Sequence, residues 1–227
     1  MGNFFRVAWV VMRKDLTIEA RSREIVFTTL FFAVACVLVF AFALVREGRA
    51  LEDAAAGILW IAIAFAGTLV LGRTFERERY AQTLQGLLLA PADRPAVYVG
   101  KLLGIVALLV AVEIVLLPLV GLMFQAAFAN RPLILAALLL AGTLGFGAVG
   151  TLFAAMLGRA RSRDVLLPVL LYPITIPVII AGVRGTAALL EAPPDAEMAW
   201  FWIGLLTFFD IVFVTLSLWT FEPLMTE

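Results

Sequence analysis

Residues 75–95 read FERERYAQTLQGLLLAPADRP and separate two long apolar runs of the chain. One helical face of this stretch is largely apolar and comprises Tyr80, Leu84, Leu87 and Leu88. Pro91 and Pro95 end the pattern, because proline lacks the amide donor that continues a helix. The stretch therefore predicts a short amphipathic helix after an extended span, although a loop resting on lipid headgroups fits the periodicity equally well.

The composition around this stretch is typical of a membrane protein. Of 227 residues, 63% are hydrophobic and 15% are charged, and the mean hydropathy is +1.05. A hydrocarbon core of ~30 Å requires about 20 apolar residues per helix, with every backbone polar group paired inside the segment. Six runs meet this requirement, at about 26–45, 54–72, 102–124, 133–157, 166–183 and 200–220. We expect residues 1–227 to form a single all-α integral membrane domain.

The basic residues are distributed unevenly between the two sides of this predicted bundle. Five precede the first span, five lie between spans two and three, and three lie between spans four and five. Only Arg46, Arg49, Arg131 and Arg184 lie on the other side. Short loops rich in Lys and Arg face the cytoplasm. Both termini and residues 75–95 are therefore expected to be cytoplasmic, in a multi-pass protein of the inner (plasma) membrane.

The amino-terminal segment, about residues 3–24, has its own helical pattern. Its apolar stripe comprises Phe5, Trp9, Met12 and Leu16. Most of the basic residues fall off that stripe, as in helices that lie in the membrane interface. The segment predicts an interfacial amphipathic helix; the alternative is a plain cytoplasmic extension of span one.

Several chemistries are missing from the sequence. It has no histidine and a single cysteine, Cys36, so a histidine- or cysteine-based metal or catalytic centre is not expected. No G-x-x-x-x-G-K-[ST] motif is present for nucleotide phosphates, so any ATP must be bound by another chain. The formal net charge of zero gives no sign of nucleic-acid binding. The glycine series in span four, Gly142, Gly145, Gly147 and Gly150, predicts close helix packing.

Two acids fall inside the predicted spans, Glu113 in span three and Asp210 in span six. An intramembrane carboxyl is costly, so it faces a cavity, a partner or the bundle interior. For Glu113, a transport or partner-contact role and a structural hydrogen bond both remain open. For Asp210, the structural interpretation is favoured.

Span five contains three prolines, Pro168, Pro173 and Pro177. Membrane helices tolerate proline, but the freed carbonyls produce kinks that neighbours must satisfy. The span is expected to be bent, as either a moving element or an irregularly packed one. Residues 185–199 are expected to form an external loop, followed by the aromatic Trp200 and Trp202.

Taken together, these segments resemble the membrane subunits of ABC-2-type exporters. The run from Glu76 through Leu84 and Pro91 to Lys101 carries the general likeness. The stretches GILWIAIAFAGTLVLGRTFERER, LLLAPADRPAVYVGK and LLPVLLYPITIPVIIAG are more narrowly similar to the haem exporter B permease of cytochrome c maturation. The likeness covers about residues 5–220 and is strongest at 57–101 and 166–182.

This resemblance implies several partners. A cytoplasmic ABC ATPase would bind ATP and receive the coupling helix, whose contact residues are Tyr80, Leu84, Leu87, Leu88 and Pro91. Haem-handling membrane subunits, a periplasmic haem chaperone and a second copy of the permease are also implied. Haem would be a substrate of the complex, and the chain itself would bind no cofactor. The resemblance leaves open whether haem is exported or a haem-loaded chaperone is released.

Two other classes remain open from the sequence. An ion-coupled secondary transporter would need Glu113 and Asp210 as its coupling pair, and another ABC-2-type exporter would share the coupling helix. A membrane-embedded enzyme is disfavoured, because the sequence contains no catalytic cluster.

Overall fold

The fold is a bundle of long α-helices, seen in a computed structural model that describes residues 2–46, 49–50, 54–80, 94–157 and 162–224. The amino-terminal helix α1 covers Gly2–Ser22. Six further helices follow within these residues: α2 Glu24–Ala43, α3 Ala55–Tyr80, α4 Arg94–Phe124, α5 Pro132–Met156, α6 Arg163–Leu190 and α7 Ala196–Leu224. Two-residue strands, β1 Val45–Arg46 and β2 Arg49–Ala50, pair antiparallel between α2 and α3. A 3₁₀ turn, Phe128–Asn130, precedes α5.

Helices α2 to α7 are each long and apolar enough to cross a membrane. The qualifying segments are Glu24–Ala43, Ala55–Phe75, Arg94–Phe124, Pro132–Met156, Asp164–Leu190 and Ala196–Phe221. The predicted all-helical membrane fold with six spans is therefore confirmed. Helix α3 continues past its apolar segment to Tyr80, as the charged extension of span two predicts.

Two predicted boundaries are wrong. Helix α4 begins at Arg94 rather than near 102, and Pro95, which was expected to end a helix, lies in its first turn. Proline suits a first helical turn, where its missing N–H would have no intrahelical partner anyway. Helix α6 extends to Leu190, so the predicted external loop at 185–199 shrinks to residues 191–195.

A sharp elbow joins α1 to α2. Arg23 adopts a left-handed backbone conformation, with φ of 55°, between the two helices. The Glu19 carboxylate is buried and accepts a hydrogen bond of 2.9 Å from the backbone N–H of Val26. A carboxylate at a helix amino terminus satisfies a free N–H and interacts favourably with the helix dipole. The Arg23 conformation and the Glu19 hydrogen bond therefore fix the orientation of α1 relative to α2.

Helix α1 packs on the beginning of α4. Ala8 and Val11 are buried, whereas Phe5 is 70% exposed and Trp9 is 60% exposed. At Gly100 a Cβ would lie 2.6 Å from the carbonyl oxygen of Ala8, so only glycine allows the two helices to approach this closely. Phe5 and Trp9 of the predicted stripe therefore lie exposed beside the packed face, whereas Leu16 of the same stripe packs against the core.

The indole ring of Trp60 is buried in the core of the bundle. This side chain of α3 lies between Gly142 of α5 and Gly182 of α6, and a Cβ on either glycine would overlap the ring. The indole N–H donates a hydrogen bond of 2.9 Å to the hydroxyl of Thr186. A buried indole satisfied in this way locks three helices together, and the predicted packing role of Gly142 is confirmed.

Candidate functional sites inside and beside the bundle

The predicted coupling helix lies almost wholly outside the described residues. Leu84, Leu87, Leu88 and Pro91 fall in the segment 81–93, and Tyr80 is the last residue of α3, described by its backbone. The segment connects the end of α3 to the start of α4. The assignment of these five residues to an ATPase contact stays a prediction.

A buried ion pair lies close to the start of α4. Lys101 Nζ lies 2.6 Å from Asp15 Oδ2, and Lys14 Nζ lies 3.0 Å from Asp15 Oδ1. The ammonium of Lys101 also lies 6.0 Å from the centre of the Phe75 ring on α3. The pair therefore brings α1, α3 and α4 together near the start of α4.

Sequence reasoning missed this pair. Lys101 was counted among the loop residues between spans two and three, but its side chain is 3% exposed inside α4. A buried ammonium needs a partner to offset its desolvation, and the partner comes from a segment 86 residues away. Helical periodicity carries no information about such a distant contact.

Glu113 is buried in α4, with 4% of its surface exposed. Its Oε1 accepts a hydrogen bond from the hydroxyl of Thr143 on α5. Glu113 also lines a groove of about 390 Å³ between α4 and α5. Glu113 thus makes a hydrogen bond within the bundle and also borders a groove that a ligand or partner could enter.

Asp210 is buried in α7, with 7% of its surface exposed. It packs against the backbone of α5, where a Cβ on Gly145 would lie 2.5 Å from Asp210 Oδ1. Within the described residues, Asp210 Oδ1 has no hydrogen-bond partner. The predicted structural hydrogen bond is therefore not seen at this oxygen.

The two acids lie on opposite sides of α5. Glu113 contacts Thr143 and Asp210 contacts Gly145. Residues two positions apart on an α-helix point about 200° apart, since each turn has 3.6 residues. Helix α5 therefore separates the two carboxyls, and they do not share one coupling site.

The three prolines of span five all lie inside the continuous helix α6. Pro173 and Pro177 are exposed at the bundle surface, and Pro168 is half-buried. Between them the buried hydroxyl of Thr175 donates to the carbonyl of Leu171 at 2.9 Å. The helix thus remains continuous around Pro168, Pro173 and Pro177, and both interpretations, a moving element and an irregularly packed one, stay open.

The part of the chain that the structure describes contains no group of three or more His, Cys, Asp or Glu side chains placed to hold a metal ion. Cys36 is a free, half-buried thiol in α2.

Six apolar spans, an amino-terminal helix anchored by a buried ion pair and two carboxyls inside the bundle define a multi-pass helical membrane protein. The profile of the family described as CcmB protein matches residues 6–223. The chain therefore belongs to the CcmB protein family.

Curated relatives agree with this membership. The chain is 26% identical over 201 residues to heme exporter protein B of Pseudomonas aeruginosa, and the match covers 88% of each chain. It is 26% identical over 192 residues to heme exporter protein B of Haemophilus influenzae, covering 83% of this chain and 86% of the relative. With heme exporter protein B of Escherichia coli K12 the identity is 29% over 96 residues, covering 42% of this chain and 44% of the relative.

Proposed function

We propose that this protein is the membrane permease subunit of an ABC transporter complex in cytochrome c maturation. In this proposal it couples ATP hydrolysis by a partner subunit to haem export or to the release of a haem-loaded chaperone. The observation that carries the proposal is the family match over residues 6–223, which coincides with the six-span bundle. The name heme exporter protein B, borne by relatives aligned over most of their length, supports haem as the substrate of the complex.

The ATPase binds on the cytoplasmic side through the coupling loop, which the sequence assigns to residues 80–95 and whose last two residues, Arg94 and Pro95, begin α4. Because the chain has no nucleotide-binding motif, ATP is bound and hydrolysed by that separate subunit, and this chain is non-catalytic. The described structure supports a mechanical connection. The segment 81–93 precedes α4 in the chain, and the Asp15–Lys101 pair ties the second turn of α4 to α1.

The orientation belongs to the same proposal. Both termini face the cytoplasm of a bacterial inner membrane, with α1 lying in the interface. The exposed Phe5 and Trp9 side chains support contact with lipid. A second copy of the permease, haem-handling membrane subunits and a periplasmic haem chaperone complete the assembly. Proline-containing α6 is the span we expect to move during the cycle.

The ion-coupled secondary transporter is less well supported. That function needs Glu113 and Asp210 in one coupling site, whereas α5 lies between them. A permease of another ABC-2-type exporter would keep the coupling helix but would not account for the family match. Neither alternative has an observation in its favour.

Deletion of the gene in its source organism tests the proposal. We expect the loss of covalent haem staining in c-type cytochromes, with b-type cytochromes retained, and recovery when an intact copy is supplied. Normal c-type cytochromes in the deletion strain would contradict the proposed function.

A further inference from the structure

The groove between α4 and α5 has the properties of a small-molecule site. Its volume of about 390 Å³ falls in the range of roughly 300–1,000 Å³ seen for ligand pockets. Apolar side chains form its walls, among them Ile114, Leu117, Leu135 and Leu139. Of the described residues that line it, Glu113 alone is ionisable. One polar group on an apolar wall orients a ligand that is otherwise held by burial.

The Glu113 carboxyl is able to accept a further hydrogen bond. Ionised or neutral, a carboxyl group has more than one acceptor site on its two oxygens, and one described donor, the Thr143 hydroxyl, occupies Oε1. The surrounding walls offer no competing side-chain acceptor among the described lining residues. A hydrogen-bond donor entering the groove would therefore be directed to Glu113.

The shape of the groove favours a compact occupant over a partner helix. Phe128 and Ala129, from the turn before α5, line one end together with Pro132. On α4 the lining runs from Val110 to Leu117, a rise of ~10 Å in a hydrocarbon core of ~30 Å. A membrane-spanning helix would contact only about a third of its length there and would meet the turn.

We propose that this groove binds a compact, hydroxyl-bearing amphiphile from the membrane. Its hydroxyl donates to Glu113, as the hydroxyl of Thr143 already does, and its apolar body lies between α4 and α5. A hydroxyl suits the site better than an ammonium group, because a charge at this depth carries a large desolvation cost. The described lining contains none of the His, Cys, Met or Tyr side chains that ligate haem iron. The proposal is independent of the transport function above.

Photolabelling of the full-length protein in phosphatidylcholine nanodiscs tests this site. The probe is 4-octylphenol carrying a diazirine on its alkyl chain, and labelled peptides are identified by mass spectrometry. We expect labels within residues 110–117 and 132–140. Unlabelled 4-octylphenol should compete, whereas 4-octylanisole, which lacks the hydroxyl hydrogen, should compete at least about tenfold less well.

Variants of the protein sharpen the test. Glu113→Leu removes the acceptor and should weaken competition by 4-octylphenol about tenfold to a hundredfold. Asp210→Asn, at a comparably buried acid on the other side of α5, is the matched control and should leave labelling unchanged. Ala136→Phe fills the groove from an exposed position on α5 and should abolish labelling without disturbing the core.

Equal competition by the phenol and its methyl ether would overturn the proposal, because it would mean that the groove takes up alkyl chains without selection. Unchanged labelling in a stably folded Glu113→Leu protein would overturn it as well. If Glu113→Leu does not fold, Ala136→Phe decides the question, and labelling retained in that variant refutes the site.

Discussion

Lys101 Nζ lies 2.6 Å from Asp15 Oδ2 and so joins α4 to α1 across 86 residues of sequence. The Lys101 side chain is 3% exposed and the Asp15 side chain 13% exposed, so the pair is shielded from water. Lys101 lies in the second turn of α4, just after the segment that we assign to ATPase coupling. The amino-terminal helix is therefore anchored to the part of α4 that follows the proposed ATPase contact.

Breaking this pair should destabilise the protein. Asp15→Leu removes the carboxylate beside a buried ammonium, a change that typically costs about 3–5 kcal/mol. Lys101→Met should cost less, because Lys14 remains 3.0 Å from Asp15. The double variant Asp15→Leu/Lys101→Met should recover much of the loss, since an apolar pair needs no desolvation of charge. Thermal unfolding in detergent measures all three, and a double variant as unstable as the sum of the singles would contradict the buried-pair interpretation.

The glycine contact at the centre of the bundle predicts a second destabilisation. Gly142→Ala adds a methyl group that would overlap the Trp60 ring, and overpacking of this kind lowers the free energy of unfolding by about 1–3 kcal/mol. Gly57→Ala is the matched control, because a Cβ there meets nothing within 4 Å and alanine favours a helix. Thermal unfolding should show Gly142→Ala less stable than the parent protein and Gly57→Ala unchanged or more stable. Similar stability of the two variants would contradict the tight packing of Trp60.

The proposed coupling helix can be tested by ATPase binding. If Leu87 and Leu88 insert into an ATPase cleft, replacing both with Asp removes two apolar contacts of ~1.5–3 kcal/mol each and adds two carboxylates to desolvate. Affinity should then fall by several powers of ten, at ~1.4 kcal/mol per tenfold. Co-purification of the ATPase measures this effect.

The control for that experiment is Gln82→Ala/Gln85→Ala, on the other face of the predicted helix, which should retain the ATPase. Membrane abundance of every variant should be normal, because the substituted residues lie outside all six candidate spans. An ATPase that still co-purifies with the double Asp variant would remove the coupling role from residues 80–95.

Orientation can be measured by thiol labelling in a Cys36→Ser background. Because Lys and Arg are concentrated on one side, a cysteine at Asp93 should react with an impermeant reagent only from the cytoplasm. A cysteine at the exposed Glu191 should react only from outside. Glu191 is preferable to Asp195, whose carboxylate accepts a hydrogen bond from the backbone N–H of Met198 at the start of α7. Reversed labelling would contradict the positive-inside orientation.

Because α5 separates Glu113 from Asp210, substitutions at the two acids should have additive effects on the unfolding free energy. Glu113→Gln and Asp210→Asn keep the shape of each side chain while removing its charge. If the sites are independent, the changes in unfolding free energy should add within about 0.5 kcal/mol in the double variant. A large coupling energy in this double-mutant cycle would mean that the carboxyls communicate, as a shared ion site requires.

Hydropathy was sufficient to predict the class of fold, because each span must be apolar over about 20 residues to cross a bilayer. It failed at the start of α4 for a specific reason. Lys101 looks like a loop residue by its charge, but Asp15 neutralises it inside the helix. The end of α6 was missed for a related reason, since Gly185 and Thr186 look like loop residues yet pack against Leu138 and hold Trp60.

The sequence also placed Glu113 and Asp210 inside spans, but it could not show which helix lies between them. That arrangement depends on how α4 and α7 pack on α5. The pattern of apolar residues within one span does not identify the helices beside it. The groove beside Glu113 was invisible for the same reason, because its walls come from two helices.

The hydrogen bond from Trp60 to Thr186 has a consequence for synthesis of the protein. The acceptor follows the donor by 126 residues, and chains elongate at about 5–20 residues per second. For a time on the order of ten seconds, the indole N–H of a newly inserted α3 must therefore be satisfied by water, lipid headgroups or the insertion machinery. A ribosome that stalls before α6 would leave a nascent chain in which Trp60 lacks both its acceptor, Thr186, and its contact with Gly182. We expect membrane quality-control proteases to remove such a chain.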